Sequence, residues 1–146
     1  MDPVAALFLI LIVPLVVLAV LGLLARREHA VVITGVPLEE VGNVVYRSAK
    51  GMMWASEDGP GDLNFRRRTP IKIRGTTGPT LSVQFHDRED GSVEIRLWMS
   101  AWSSVWGIAS GGESIMFRRW KVSRAVRRCE AAAMQGGTPS HLLPGD

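Results

Sequence analysis

Residues 4–24 read VAALFLILIVPLVVLAVLGLL, with no charged or polar side chain among them. A bilayer's hydrocarbon core, about 30 Å thick, is crossed by roughly 20 apolar residues in a helix, and this run supplies that length. In lipid the backbone of a lone segment must satisfy its own polar groups, so a helix is expected. Val4, Leu7, Leu11, Pro14, Leu18 and Leu24 mark its course. Proline and glycine, here Pro14 and Gly22, are commoner in membrane helices than in soluble ones, and Pro14 marks a candidate kink. Two other readings compete. A cleaved signal peptide needs a basic start, a shorter apolar core and a small-residue cleavage site. The chain instead opens Met1-Asp2-Pro3 and the run is long. A buried core helix is the third option, against which an uncharged run of this length at a terminus argues. The expectation is a retained anchor.

Orientation follows from the flanks. Arg26 and Arg27 stand directly after the run with His29 close behind, and only Asp2 and the α-amino group precede it. The positive-inside rule places the N-terminus outside and the chain from Ala25 onward in the cytoplasm, as a single-pass protein of the cell inner membrane. The expected organisation is an anchor with a basic collar over residues 1–27, a soluble α+β domain over 28–135, and a flexible tail over 136–146.

The charges after the anchor are interspersed and sum to +3 over the whole chain of 146 residues. The cations are mostly arginine, which with abundant Ala, Gly and Val fits a high-GC genome such as an actinobacterial one. A single cysteine, Cys129, excludes an intrachain disulfide framework and fits a reducing cytoplasm.

In chain order, HAVVIT (29–34) reads as a strand. Pro37 with Glu39 and Glu40 reads as a helix start, with Leu38, Val41, Val45 and Ala49 on one face beside Val44 and Ser48; Lys50-Gly51 ends the helix. Residues 52–56, 63–68 and 71–74 read as short strands, with a turn at 57–62 and a break at Thr69-Pro70. Leu81, Val83 and Phe85 alternate with polar residues. After the turn 87–91, so do Val93, Ile95, Leu97 and Met99, making a hairpin with one drier face. A glycine-rich connection leads to Ser114, the expected cap of a final helix reaching about Met134. Met116, Trp120, Val122, Val126, Cys129 and Ala133 are its expected apolar side. Arg118, Arg119, Arg124, Arg127 and Arg128 are its expected basic side.

This order predicts an α+β class: one transmembrane helix, then a small domain with a curved antiparallel sheet, an early helix and a long C-terminal helix. In outline, residues 29–134 resemble a shortened helix-grip domain of the START and polyketide-cyclase type. The shared features are the early strand and helix, the meander and the long final helix. The resemblance implies a scaffold for a hydrophobic ligand or a protein partner.

No catalytic or cofactor signature stands out. His29, His86 and His141 are scattered, and Cys129 has no neighbouring ligand, so no metal site is expected. His86-Asp87 near Glu89 and Asp90 reads as a solvated turn. No phosphate-cradling loop, dinucleotide fingerprint or nucleophile elbow is present. The expectation is a protein that is not an enzyme, with neither cofactor nor nucleic acid.

Two features remain. Trp98, Trp102 and Trp106, spaced by four with serines between, form one row whether the segment is strand or helix. Core packing is the plainest account; a partner surface or contact with the bilayer interface are the others. Arg66-Arg67-Arg68, with Lys72, Arg74 and the arginines Arg118 and Arg119 of the last helix, form basic surface, by default solvated. Anionic lipid headgroups are a better partner for it than nucleic acid.

Three classes of function follow. One is a non-catalytic accessory subunit docking to integral membrane subunits, most concretely, by general resemblance, of an actinobacterial cytochrome bc–oxidase type respiratory supercomplex. The second is a membrane-tethered binder of a hydrophobic ligand or lipid. The third, ranked last, is a membrane-bound enzyme.

Overall fold

The computed structural model describes residues 2–69, 77–105 and 107–136. The apolar run forms α1, Pro3–Arg26, which continues through Pro14. Pro3 occupies the first turn, where its missing N–H costs nothing, and Asp2 accepts the Val4 N–H (3.2 Å). Its side chains do not enter a core: Val4, Leu7, Leu11 and Leu18 are all exposed. The core-helix alternative therefore does not hold for most of α1. Its last turn differs, because Gly22 and Ala25 are buried.

The chain then forms β1 (His29–Ile33), α2 (Leu38–Ala49), β2 (Trp54–Ser56), β3 (Leu63–Arg67), β4 (Thr80–Asp87) and β5 (Val93–Ala101). A small hairpin of β6 (Ser104–Val105) and β7 (Ile108–Ala109) leads to α3 (Gly112–Met134). Strands β1 to β5 build one antiparallel sheet in the order β1-β5-β4-β3-β2. The class is α+β, as the element order predicts. The strand expected at 71–74 lies outside the described residues.

Alternation fixes which face is covered. Val93, Ile95, Leu97 and Met99 are buried along β5. Their partners Phe85, Val83 and Leu81 on β4, and Val31 and Ile33 on β1, share that face, since directly opposed residues point the same way. Helices α2 and α3 cover it with Val41, Val45, Ile115, Val122 and Val126. Ala25 of α1 belongs to the same cluster, so the expected boundary at residue 27 cuts through one packed unit.

Three local expectations are corrected. Helix α3 starts two residues before Ser114; its cap is Gly111 in the left-handed region (φ 85°), and no side chain among the described residues caps it. Trp120, expected on the apolar side of α3, is 54% exposed, whereas Ile115 and Ala132 are buried. Leu38 is likewise exposed while Val44 and Ser48 turn inward, the Ser48 hydroxyl donating to Val44 O (2.8 Å).

Helix α1 meets α3 at two glycines. A Cβ on Gly112 would lie 2.7 Å from Gly22 Cα, and one on Gly22 would lie 3.3 Å from Ala109 Cβ. Gly112→Val should therefore push α1 off α3 and lower stability by about 1–3 kcal/mol. Gly42 in α2 is the control, since a Cβ added there would meet none of the described residues within 4 Å. At that position Gly→Ala should raise stability by about 0.4–1 kcal/mol. Thermal melting of the full chain in detergent distinguishes the two; equal effects would remove the special role of the contact.

Candidate membrane and partner interface

The last turn of α1 leaves backbone carbonyls without intrahelical partners. Arg119 of α3 supplies the missing donors: one of its guanidinium nitrogens donates to Leu24 O (3.2 Å) and to Arg27 O (3.0 Å). A cation at a helix C-terminus also complements the negative end of the helix dipole. Arg118, one residue earlier, turns the other way. It lies 5.1 Å over the Trp54 ring and donates to Ser48 O (3.4 Å). Burial lowers the pKa of both guanidiniums. The expected basic surface at Arg118 and Arg119 is thus corrected: both are partly buried and tie helices together.

The topology arginines Arg26 and Arg27 also separate in role. The Arg26 guanidinium lies 4.4 Å over the Trp102 ring, while Arg27 is exposed at the bend into β1. The Arg66-Arg67-Arg68 run is divided by strand alternation. Arg66 pairs with Glu57 (2.9 Å) on the uncovered face, and Arg67 turns under α3 to donate to the Ser114 hydroxyl. Arg68 is exposed just past the end of β3.

The tryptophan row divides in the same way. Trp98 sits half-buried on the uncovered sheet face opposite Ser82. Strand β5 stops at Ala101, so Trp102 belongs to the following loop and is 37% exposed. Trp106 lies outside the described residues. Neither Trp98 nor Trp102 is part of the hydrophobic core; the tryptophan that is buried there is Trp54. Only its place in a strand signals it in the sequence.

The rest of the uncovered face is polar. Ser82 donates to Asn64 Oδ1 (2.6 Å), and its oxygen is 2.6 Å from that of Ser100. Thr80 donates to Glu57 (2.9 Å), and Arg96 to Glu94 (2.7 Å), a bond that holds the Glu94 carboxyl below the usual carboxylate range. Among the described residues no group of three His, Cys, Asp or Glu side chains stands at metal-binding distance. Two hollows line α3, both open to the surface. One runs along Trp120, Arg124, Arg127 and Arg128, the other along Met53, Trp54, Arg67 and Phe117.

No known protein family, curated protein or solved structure matches the chain.

Arg119→Ala should loosen the joint between α1 and the domain. Losing two partly exposed charged hydrogen bonds costs about 1 kcal/mol, which corresponds to about fivefold faster local opening. Limited trypsin digestion at Arg26 and Arg27 reads that rate, and an unchanged rate would remove Arg119 from the joint. A second expectation concerns His29 at the start of β1. Partial desolvation first, then the charges of Arg119 and Arg127, hold its imidazole below the ordinary value. Because folding depresses this pKa, the contribution of neutral His29 to stability is present near neutrality and is lost as pH falls through the folded-state value. An NMR titration should place the His29 midpoint below that of a free imidazole, and Arg127→Gln should raise it.

Proposed function

We propose that the chain is a single-pass, non-catalytic accessory subunit that docks to integral membrane proteins through α1 and holds its α+β domain against the cytoplasmic side of the bilayer. One observation carries this reading. Helix α1 is apolar and exposed along its length, yet its last turn is built into the core through Gly22, Ala25 and the Arg119 contacts. A helix that needs an apolar surrounding and is also a structural part of its domain suits a retained anchor better than a cleaved leader. Arg26 and Arg27 at the domain end favour a cytoplasmic domain.

A respiratory assembly of the cytochrome bc–oxidase type is the most concrete host. The alternative, a tethered binder of a hydrophobic ligand, is less favoured, because the hollows described above are open grooves and the sheet's helix-covered face is filled by side chains.

Two outcomes are expected. A reporter fused after Asp146 should be active in the cytoplasm only, and external activity would reverse the topology. Purification of tagged full-length protein in mild detergent should recover oxidase or other integral subunits in fixed stoichiometry. Recovery of the chain alone would count against the accessory-subunit reading.

A further inference from the structure

The antiparallel register gathers one set of loops at the end of the sheet where α1 joins. His29 pairs with Leu97, Thr80 with Ala101, Arg66 with Thr80, and Trp54 with Arg67. This end therefore carries the start of β1, the α2–β2 loop, the chain after Arg67 and the β5–α3 segment with its hairpin. Helix α3 starts there too, with Gly112 against Gly22 and Gly111 against Pro79. The hairpin's Ala109 packs on Gly22, two residues inside the end of the apolar run.

The side chains of this end are of two kinds. Arg26, Arg27, Lys50 and Arg68 are cationic. Met52 (95% exposed), Met53, Trp102, Val105 (54% exposed) and Phe117 are exposed and apolar. Glu28 and Glu113 are the acidic residues beside them. The opposite end of the sheet is acidic. Glu39 and Glu40 open α2, Asp58 and Asp62 lie in the β2–β3 turn, and Asp87, Glu89 and Asp90 flank Arg88 in the β4–β5 turn.

We infer that the α1-proximal end of the domain is a membrane-seating surface. Met52, Val105, Trp102 and Phe117 enter the interfacial layer, and Arg27, Lys50 and Arg68 meet anionic phospholipid headgroups. The inference rests on α1 spanning the bilayer, as proposed above, and adds that the domain lies on the bilayer instead of standing clear of it. Two arguments select lipid as the occupant. The surface is continuous with the end of the apolar helix, and no free linker separates them: Gly22, Leu24 and Arg27 are all held by α3 or the hairpin. Charge also segregates in the sense an anionic surface requires, with cations at the near end and carboxylates at the far end. Exposed apolar side chains beside cations match the mixed character of the interface, where tryptophan rings and lysine or arginine heads both reside. The cations Arg124, Arg127 and Arg128 lie further along α3, beyond this end, and take no part.

The test uses the full chain reconstituted in vesicles of phosphatidylcholine with about one-third phosphatidylglycerol. Single cysteines at Leu11, Met52, Val105 and Asp90 carry an environment-sensitive fluorophore, with the native, buried Cys129 replaced by Ala. Brominated acyl chains then quench by depth. Leu11→Cys should be quenched most, Met52→Cys and Val105→Cys at a shallower depth, and Asp90→Cys not at all. Arg68→Gln combined with Lys50→Gln should reduce quenching at Met52 about twofold without changing Leu11, whereas Arg127→Gln with Arg128→Gln should change neither. Quenching at Leu11 with none at Met52 and Val105 overturns the seating surface and leaves the anchor intact; a protein partner would then be the cover of this end. Equal quenching at Asp90 and Val105 also overturns it. Absence of quenching at Leu11 overturns the anchor and this inference together.

Discussion

A helix that leaves an apolar medium must dispose of its last carbonyls, and the way this chain does so shapes everything beyond Arg26. The Arg119 guanidinium bonds Leu24 O and Arg27 O, and it reaches them because Gly22 and Gly112 let two backbones approach as no other residue pair would. That closeness sets where α3 starts, and α3 in turn covers the sheet that begins at His29. Anchor and domain therefore share one core, with Ala25 packed in the same cluster as the strands.

The sheet divides its labour by face. One side is closed by α2 and α3 over Phe65, Leu81, Ile95 and Leu97. The other keeps a ladder of hydroxyls, an amide and ion pairs, with Trp98 its large ring. Hydrogen bonds along this ladder satisfy its polar groups, as expected where a half-exposed face carries no apolar cover. Contact with other molecules thus falls to the exposed side of α1 and to the ends of the sheet.

Much of this layout is legible in the sequence, because it depends on local periodicity. The apolar run, the alternation over 93–99 and the turn at 87–91 each announce their element within a few residues. The long-range contacts are not legible. Nothing near Arg118 or Arg119 distinguishes them from Arg124 or Arg127; their inward turn follows from where α1 and Trp54 meet α3. Gly22 and Gly112 are far apart in the chain, and only the fold makes them partners. The tryptophan spacing of four suggests a row that the end of β5 at Ala101 interrupts, and Ser114 offers a cap that Gly111 provides through its backbone instead.

The glycine-to-glycine joint also has a mechanical meaning. A 24-residue helix is about 36 Å long, and one welded to its domain at one end behaves as a lever, not a tether. Membrane helices accommodate a mismatch between their apolar length and the local bilayer thickness by tilting. With no hinge between α1 and the sheet, such a tilt swings the acidic far end of the domain sideways over the membrane. Bilayer thickness would thereby set the angle at which that end is presented to whatever stands beside it.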